Sequence, residues 1–375
     1  MKGRSKTVIV PMILVLAGTM FFFPITIRAQ EIGRIAYLEG EVEIVRDGSI
    51  RSGFDVAIGE PLREFDLIQT GSEGFVEIEL DLPAGSVVRI LENSAYYLEV
   101  ATDNGGNETA RLKLLTGTLE VAVNNVSRRS RLDVETRNAV FGVRGTEFDV
   151  LTTPDESVLL GVREGNVAAA SQDSSLVVSA GSAAQRTEGG ALREERVPNG
   201  DFEGYYDRWT AQRLEVFRAG ASVFVQAYVR RYLESVDAFR AAHRELQAFR
   251  SRLENAAEQG GASLGSDMLL RQEISPAIIR MRSILPLFEN TVYRLRELDR
   301  FHAQGIGVTT IDGETSRTFF EGFAMQEGDL LRNLGEVRYL FRLYGQIEER
   351  SFGGLPGGES PFETNSTDFL NKMQF

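Results

Sequence analysis

The sequence predicts an all-β module followed by an α-helical antiparallel coiled-coil bundle. Before about residue 200, glycines precede short runs in which apolar and polar residues alternate. Alternation with a period of two is typical of strands that bury one face. After Asp201, the apolar residues recur at every third or fourth position, which is typical of amphipathic helices. The change of period therefore separates two structural classes along the chain.

The β module is expected to span residues 30–188, with a linker at 189–200. Its clearest strand places Val76, Ile78 and Leu80 on one face and acidic residues on the other. Glycine turns recur about every ten residues between short strands. This pattern favours a short β-solenoid, a roll or a sandwich-like module over an α/β sheet.

The helical bundle is expected over residues 201–350, and a flexible tail rich in Gly, Pro and Ser over 351–375. The expected helices span residues 202–258, 267–301 and 314–349. A shift of the apolar stripe near Tyr232 indicates a stutter or a break in the first helix. Pro276 and Pro286 should kink the second helix or split its start. Long helices with short loops favour antiparallel packing.

Residues 1–29 have the features of a signal peptide. Basic residues within the first six positions precede an uncharged apolar run at 7–27, and cleavage is expected after Ala29. The mature chain would then be periplasmic or secreted. The apolar run approaches the roughly 20 residues that span a bilayer, so an uncleaved inner-membrane anchor is the alternative.

Composition excludes several kinds of chemistry. The chain has no Cys, which rules out disulfides, thiolate metal sites and a lipidated Cys. Its formal net charge is −13, and removal of the four basic residues within 1–29 would take it to −17. An acidic surface repels phosphate backbones, so no nucleic-acid partner is expected.

The most informative stretch is RNAVFGVRGTEFDV at residues 137–150. Gly145 and Thr146 interrupt a β-branched run, and Phe148 continues the strand alternation. A Gly within a strand marks a bulge or a close backbone approach. Thr146 and Phe148 are expected to turn and pack the strand, because aromatic residues in alternating strands usually lie in the core. We assign no side chain of this stretch to acid–base or nucleophilic chemistry and interpret it as part of a binding module.

Residues 33–181 resemble the extracytoplasmic domain of the FecR family, the iron-dicitrate sensor regulators. The GVRGTEF motif at 142–148 is the most specific part of the match. The motif positions to which the resemblance gives a structural role are Gly71, Gly85, Gly117, Gly142, Gly145, Thr146, Phe148, Gly165 and Gly181. The resemblance implies a recognition or assembly domain outside the cytoplasm.

The chain departs from the family pattern in two places. Phe65 stands where a Gly usually precedes Asp66, so the turn there is expected to differ. Only six residues precede the apolar run at 7–27, whereas typical family members carry a cytoplasmic anti-sigma segment there. The anti-sigma activity is therefore not carried over to this chain.

The titratable residues offer no catalytic, cofactor-binding or metal-binding site. His243 and His302 lack a neighbouring metal-ligand pattern and are expected to be packed or helix-terminal. The oxygen-rich loop at 103–108 lacks the spacing of a calcium loop and suits a hairpin turn. An acidic row suits a solvent-facing strand better than paired catalytic carboxylates; it comprises Glu77, Glu79 and Asp81. A basic loop is expected to form local salt bridges; it comprises Arg128, Arg129 and Arg131.

These observations predict an exported, non-enzymatic binding or scaffold protein of the cell envelope. Its β module would recognise an envelope protein or glycan, and its helical bundle would mediate assembly, including self-association. A membrane-anchored signalling component with an uncleaved amino-terminal helix is the alternative. An enzyme acting on an envelope polymer through the acidic row is a third hypothesis, and we do not favour it.

Overall fold

A computed structural model of the chain describes residues 31–102, 108–123, 130–143, 145–187, 189–258 and 264–352. The predicted signal segment, most of the oxygen-rich loop, Arg128, Arg129 and most of the tail lie outside these ranges. Within them, no helix is long and apolar enough to cross a membrane.

The amino-terminal part is built from β-strands. They are β1 (Glu31–Glu39), β2 (Val42–Arg46), β3 (Ser49–Ser52), β4 (Pro61–Arg63), β5 (Leu67–Thr70), β6 (Phe75–Asp81), β7 (Ala84–Ile90), β8 (Ala95–Thr102), β9 (Glu108–Thr116), β10 (Thr118–Ala122), β11 (Ser130–Glu135), β12 (Val140–Val143), β13 (Glu147–Thr152), β14 (Val158–Glu164), β15 (Asn166–Ala170), β16 (Ser175–Ser179), β17 (Ser182–Arg186) and β18 (Arg193–Arg196).

The strands form two nine-stranded sheets. Sheet 1 has the order β18-β17-β14-β13-β10-β7-β6-β1-β4, and sheet 2 has the order β16-β15-β12-β11-β9-β8-β5-β2-β3. Beyond β5, the chain supplies most strands in consecutive pairs that alternate between the sheets. Apolar side chains from both sheets meet in one core, in which Ile78 of sheet 1 and Ile44 of sheet 2 are fully buried. The predicted all-β module is confirmed, in its sandwich-like form.

The carboxy-terminal part is helical, as predicted. Its helices are α1 (Phe202–Gln247), α2 (Arg250–Glu258), α3 (Leu264–Ala303) and α4 (Ser316–Phe352), and a small hairpin of β19 (Thr310–Ile311) and β20 (Glu314–Thr315) precedes α4. The helix α1 is continuous through Tyr232, whose ring packs against rings of both α3 and α4, and the chain breaks instead after Gln247. The helix α3 continues past Pro276 and Pro286, so the prolines do not split it.

The helices cover the outer face of sheet 2. Leu67 and Tyr97 point away from the sandwich core and share one apolar cluster with α1, α3 and α4. Their neighbours Ile68 and Tyr96 point inward to the sandwich core. Strands of sheet 2 are therefore buried on both faces, whereas an uncovered sheet would expose one of them.

The start of α1 packs against the outer face of sheet 1. Trp209 lies in an apolar cluster with Leu159 and Ala183, and its Nε1 donates to Oε1 of Gln185 at 2.8 Å. The segment at 189–200, predicted as a linker, contains β18, which pairs with β17. The predicted domain boundaries stay a prediction. The described helices and sheets are packed together through shared apolar clusters.

The corner between α3 and α4 contains a histidine whose titration should change stability. Burial lowers the pKa of His302 from 6.5, and the nearby Arg317 lowers it further. In the neutral ring, Nε2 can accept from the hydroxyl of Ser316, which lies 2.8 Å away. The folded state therefore favours the neutral imidazole.

Acidification should destabilise the fold through His302. Because its folded pKa lies below its unfolded pKa, stability falls as the pH drops through the unfolded value and levels off below the folded one. The variant His302→Gln keeps a hydrogen-bonding group. Between about pH 7.5 and 5.5, we expect its melting temperature to fall by less than that of wild type. Equal losses in the two proteins would contradict this role.

Candidate binding cleft

The motif residues of the β module form turns and core and do not converge on one site. Phe148 is fully buried between the sheets, and Thr146 is buried beside the turn at Gly165. The motif glycines are spread over separate strands and turns. Besides Gly117 and Gly145, they are Gly71, Gly85, Gly142, Gly165 and Gly181. These residues therefore shape the sandwich, and a ligand site must be sought elsewhere.

Two of the motif glycines should differ in their tolerance of a side chain. Gly117 has φ +92° and Gly145 has φ +64°, so alanine is strained at both. A Cβ at Gly117 would collide with the backbone and side chain of Ser94, whereas a Cβ at Gly145 would meet nothing within 4 Å.

We expect Gly145→Ala to cost about 1 kcal/mol from backbone strain alone. Gly117→Ala should cost about 1–3 kcal/mol more, because the chain around Ser94 must move. Urea unfolding followed by the fluorescence of Trp209, the single tryptophan, measures both values. Similar costs at the two positions would show that the Ser94 contact relaxes freely.

A cleft of about 460 Å³ lies between the outer face of sheet 2 and the helices α3 and α4. Its lining residues are Phe65, Tyr97, Glu99, Lys113, Leu114, Leu115, Glu135, Thr136, Arg137, Arg282, Leu285, Pro286, Glu289, Asn290, Arg338 and Phe341. This volume falls in the range of small-molecule and peptide side-chain sites. Aromatic and aliphatic walls with a few charged groups are typical of a binding pocket.

The sheet side of the cleft holds a half-buried lysine between two carboxylates. Tyr97, Lys113 and Glu135 are cross-strand neighbours on β8, β9 and β11. Nζ of Lys113 lies 3.1 Å from Glu99 Oε1 and 3.9 Å from Glu135 Oε2. Burial lowers the pKa of Lys113, but attraction to both carboxylates outweighs it and raises the pKa above its usual value. Lys113 therefore stays charged.

The helix side of the cleft holds a second buried ion pair. Nη2 of Arg338 donates to Oε1 of Glu289, and both side chains are only 2% exposed. The Tyr97 hydroxyl donates to Glu289 Oε2 at 3.1 Å, and the Arg338 guanidinium lies 4.7 Å from the Tyr97 ring centroid. Burial raises the pKa of Tyr97 well above 10.0, so this hydroxyl keeps its proton. The network joins the sheet to both helices.

A second, more polar cavity of about 370 Å³ lies at the same boundary and includes Gly71 in its lining. Arg296 donates to Oε1 of Gln69 and to Glu327, and its side chain fills part of the space between β5 and α3. Arg300 donates to Oδ1 of Asn93. The polar groups of this second cavity largely bond to one another, so the larger cleft is the better candidate site.

Of the three acidic-row residues weighed as catalytic in the sequence, Glu77 and Glu79 are engaged in ion pairs. Glu77 pairs with Arg89 at 2.8 Å and Glu79 pairs with Arg34 at 2.6 Å. His243 lies 2.9 Å from a carboxylate oxygen of Glu336. Among the described residues, no group of three or more His, Asp or Glu side chains could hold a metal ion.

Sequence reasoning missed the cleft because its two walls are far apart in the chain. One signal was available, namely continuous apolar residues at Leu67–Ile68, Tyr96–Tyr97 and Leu114–Leu115. Such runs indicate strands buried on both faces rather than one. They could have identified the covered sheet, although not the helices that cover it.

The fold and the cleft define a β-sandwich with a helical cover and an internal cleft between them. Residues 66–168 match the family described as FecR protein, so the chain carries a FecR domain and the resemblance seen in the sequence is confirmed. The match includes all of the motif positions except Gly181, and it includes the sheet side of the cleft except Phe65. The helix side lies outside the match.

Other comparisons add little. No curated protein matches the chain significantly. Two crystal structures of a provisionally assigned anti-sigma factor from Parabacteroides distasonis ATCC 8503 align with TM-scores of 0.29 and 0.30, at 19% and 20% identity. Each alignment covers 35% of this chain and 59% of the other chain, so this chain spans little more than half of that relative.

Proposed function

We propose that the chain is an exported, non-enzymatic binding or scaffold protein of the cell envelope. Its FecR domain would serve recognition, and its helical part would serve assembly. The observation that carries the proposal is the cleft itself, where strands of the FecR domain face α3 and α4 across about 460 Å³. A partner that enters this space would contact both parts of the chain at once.

The chemistry of the cleft supports binding rather than catalysis. Lys113 lies between Glu99 and Glu135, and Arg338 is bound to Glu289. A catalytic acid or base needs a pKa near the working pH, whereas these cations are held in their charged form. Charged groups of both signs beside the rings of Tyr97 and Phe341 suit an amphipathic group of an envelope protein or glycan.

Site-specific photo-crosslinking in cells tests the proposal. A benzoylphenylalanine in place of Asn290 lies on the cleft wall, and one in place of the exposed Val223 on α1 serves as a matched control. We expect an envelope component to be captured from position 290 and not from 223. Equal capture at the two positions, or capture of cytoplasmic proteins alone, would overturn the proposal.

A cleft-narrowing variant makes the test specific. Thr136 lines the cleft and is half-buried, and its hydroxyl bonds only to Ala139 among the described residues. Thr136→Trp should therefore reduce capture from position 290 while leaving the melting temperature close to that of wild type. Undiminished capture would place the partner outside the cleft.

The second candidate function is a membrane-anchored component of envelope signalling. It is favoured by the FecR domain at 66–168 together with the apolar run at 7–27. In this case the run stays attached to the mature chain. The mass of the amino-terminal peptide decides between the candidates, because a chain that starts at Gln30 has lost the anchor.

A further inference from the structure

The helix α3 carries an exposed face without a charged residue. At 100° per residue, the following positions fall within an arc of about 100°. They are Met268, Leu269, Gln272, Pro276, Ile279, Ser283, Pro286 and Leu287, and we call them the α3 outer face; Pro286 also borders the cleft. Met268, Leu269 and Ile279 are 60%, 68% and 66% exposed. An uncharged, mostly apolar stripe of this length on a helix usually contacts another chain segment.

Ion pairs on its two sides hold α3 in place and leave this face open. On one side, Glu273 pairs with Arg252 of α2 at 2.7 Å. On the other side, Arg271 pairs with Glu348 of α4 at 2.7 Å. The flanks of α3 are thus fixed to its neighbours, and within the described residues the outer face remains exposed.

The segment that follows α4 begins beside this face. The Arg271–Glu348 pair places the end of α4, at Phe352, near the start of α3. The sequence then continues with a Gly- and Pro-rich stretch at 353–361 and ends in TDFLNKMQF at 367–375. The short gap at 259–263 also lies outside the described residues at this end of α3, but its sequence has no comparable apolar pattern.

The sequence at 367–375 has the pattern of a short amphipathic helix. Phe369, Leu370 and Met373 stand at i, i+1 and i+4, which places them on one side of a helix. Asp368 and Lys372 stand at i and i+4 on another side and can form an ion pair. An apolar side of this width matches the uncharged arc of the α3 outer face.

The connecting stretch is long enough for this contact. The 17 residues from Phe352 to Phe369 span about 23 Å on average if they behave as a flexible chain. Ser283, in the second half of the face, lies about 18 Å along the helix axis from Arg271. The segment therefore reaches the whole outer face without strain.

We propose that residues 367–375 dock on the α3 outer face through Phe369, Leu370 and Met373. A linker of this length would give an effective concentration of about 1 mM. With a Kd of about 0.1 mM for such a short segment, the face would be covered about nine-tenths of the time. The docked segment would turn the exposed side of α3 into an internal contact.

Engineered cysteines test the proposal directly, because the chain has none of its own. The pair Ser283→Cys and Met373→Cys should form an intramolecular disulfide in the 375-residue chain. The matched control is Ser251→Cys with Met373→Cys, since Ser251 is also exposed and lies next to Arg252, which pairs with Glu273 at the same end of α3. We expect disulfide formation about tenfold faster for position 283 than for position 251.

A second measurement uses accessibility. A maleimide should label Ser283→Cys about tenfold more slowly in the 375-residue chain than in a chain ending at Pro361, and the two rates should be equal for Ser251→Cys. Equal disulfide and labelling rates at the two positions would overturn the proposal. Disulfide dimers of the single variant Ser283→Cys would also overturn it, because they would assign the face to a second copy of the chain.

Discussion

Replacing Glu289 with Ala should lower the free energy of unfolding by about 3–5 kcal/mol, because it leaves the buried Arg338 guanidinium without its carboxylate. Both side chains are only 2% exposed, so bulk water solvates the remaining charge poorly. The same change removes the acceptor of the Tyr97 hydroxyl. Urea unfolding followed by the fluorescence of Trp209 measures the loss.

Two further variants separate the ion pair from the packing around it. The double variant Glu289→Leu with Arg338→Met should be far closer to wild type than Glu289→Ala, because it leaves no buried charge without a partner. Tyr97→Phe removes only one hydrogen bond and should cost about 1 kcal/mol. If Glu289→Ala were as stable as the double variant, the guanidinium must find another partner or reach water.

Replacing Phe148 with Ala should cost about 3–5 kcal/mol, because Phe148 is fully buried in the core between the two sheets. In sheet 1, its register partners are Val121 of β10 and Val162 of β14, so the cavity would open in the centre of the sandwich. Phe148→Leu should cost much less, since leucine refills most of the volume.

The matched control is Phe54→Ala. Phe54 lies in the turn after β3 and is fully exposed, so the same substitution there should leave the unfolding midpoint unchanged. A small effect of Phe148→Ala would mean that the sandwich collapses around the deletion. The motif phenylalanine would then not be the structural residue that its burial indicates.

The sequence predicted the order of structural classes because periodicity is a local property. Alternation placed Val76, Ile78 and Leu80 in the core, and the structure buries all three. The 3-4 spacing likewise predicted long helices, and the GVRGTEF motif identified the FecR domain before its match at 66–168. The predicted break in the first helix was misplaced. Tyr232 shifts the stripe because it contacts α3 and α4 together, not because the helix ends there.

The candidate site could not be predicted in this way. Glu99, Lys113 and Glu135 occupy polar positions of alternating strands, and such positions normally face water. They become a binding cleft only because α3 and α4 cover them with Glu289 and Arg338, far away in the chain.

By itself, the sequence determined the β and helical parts, the inward face of the clearest strand and the FecR domain, since each depends on the order of neighbouring residues. The tertiary structure alone decided that the helices lie on sheet 2 and that a half-buried lysine and a buried arginine lie there with carboxylate partners. It also decided that, among the described residues, none covers the α3 outer face. The physical reason is that burial of a charge, and the space between two surfaces, depend on which distant segments meet, and short-range patterns do not contain that information.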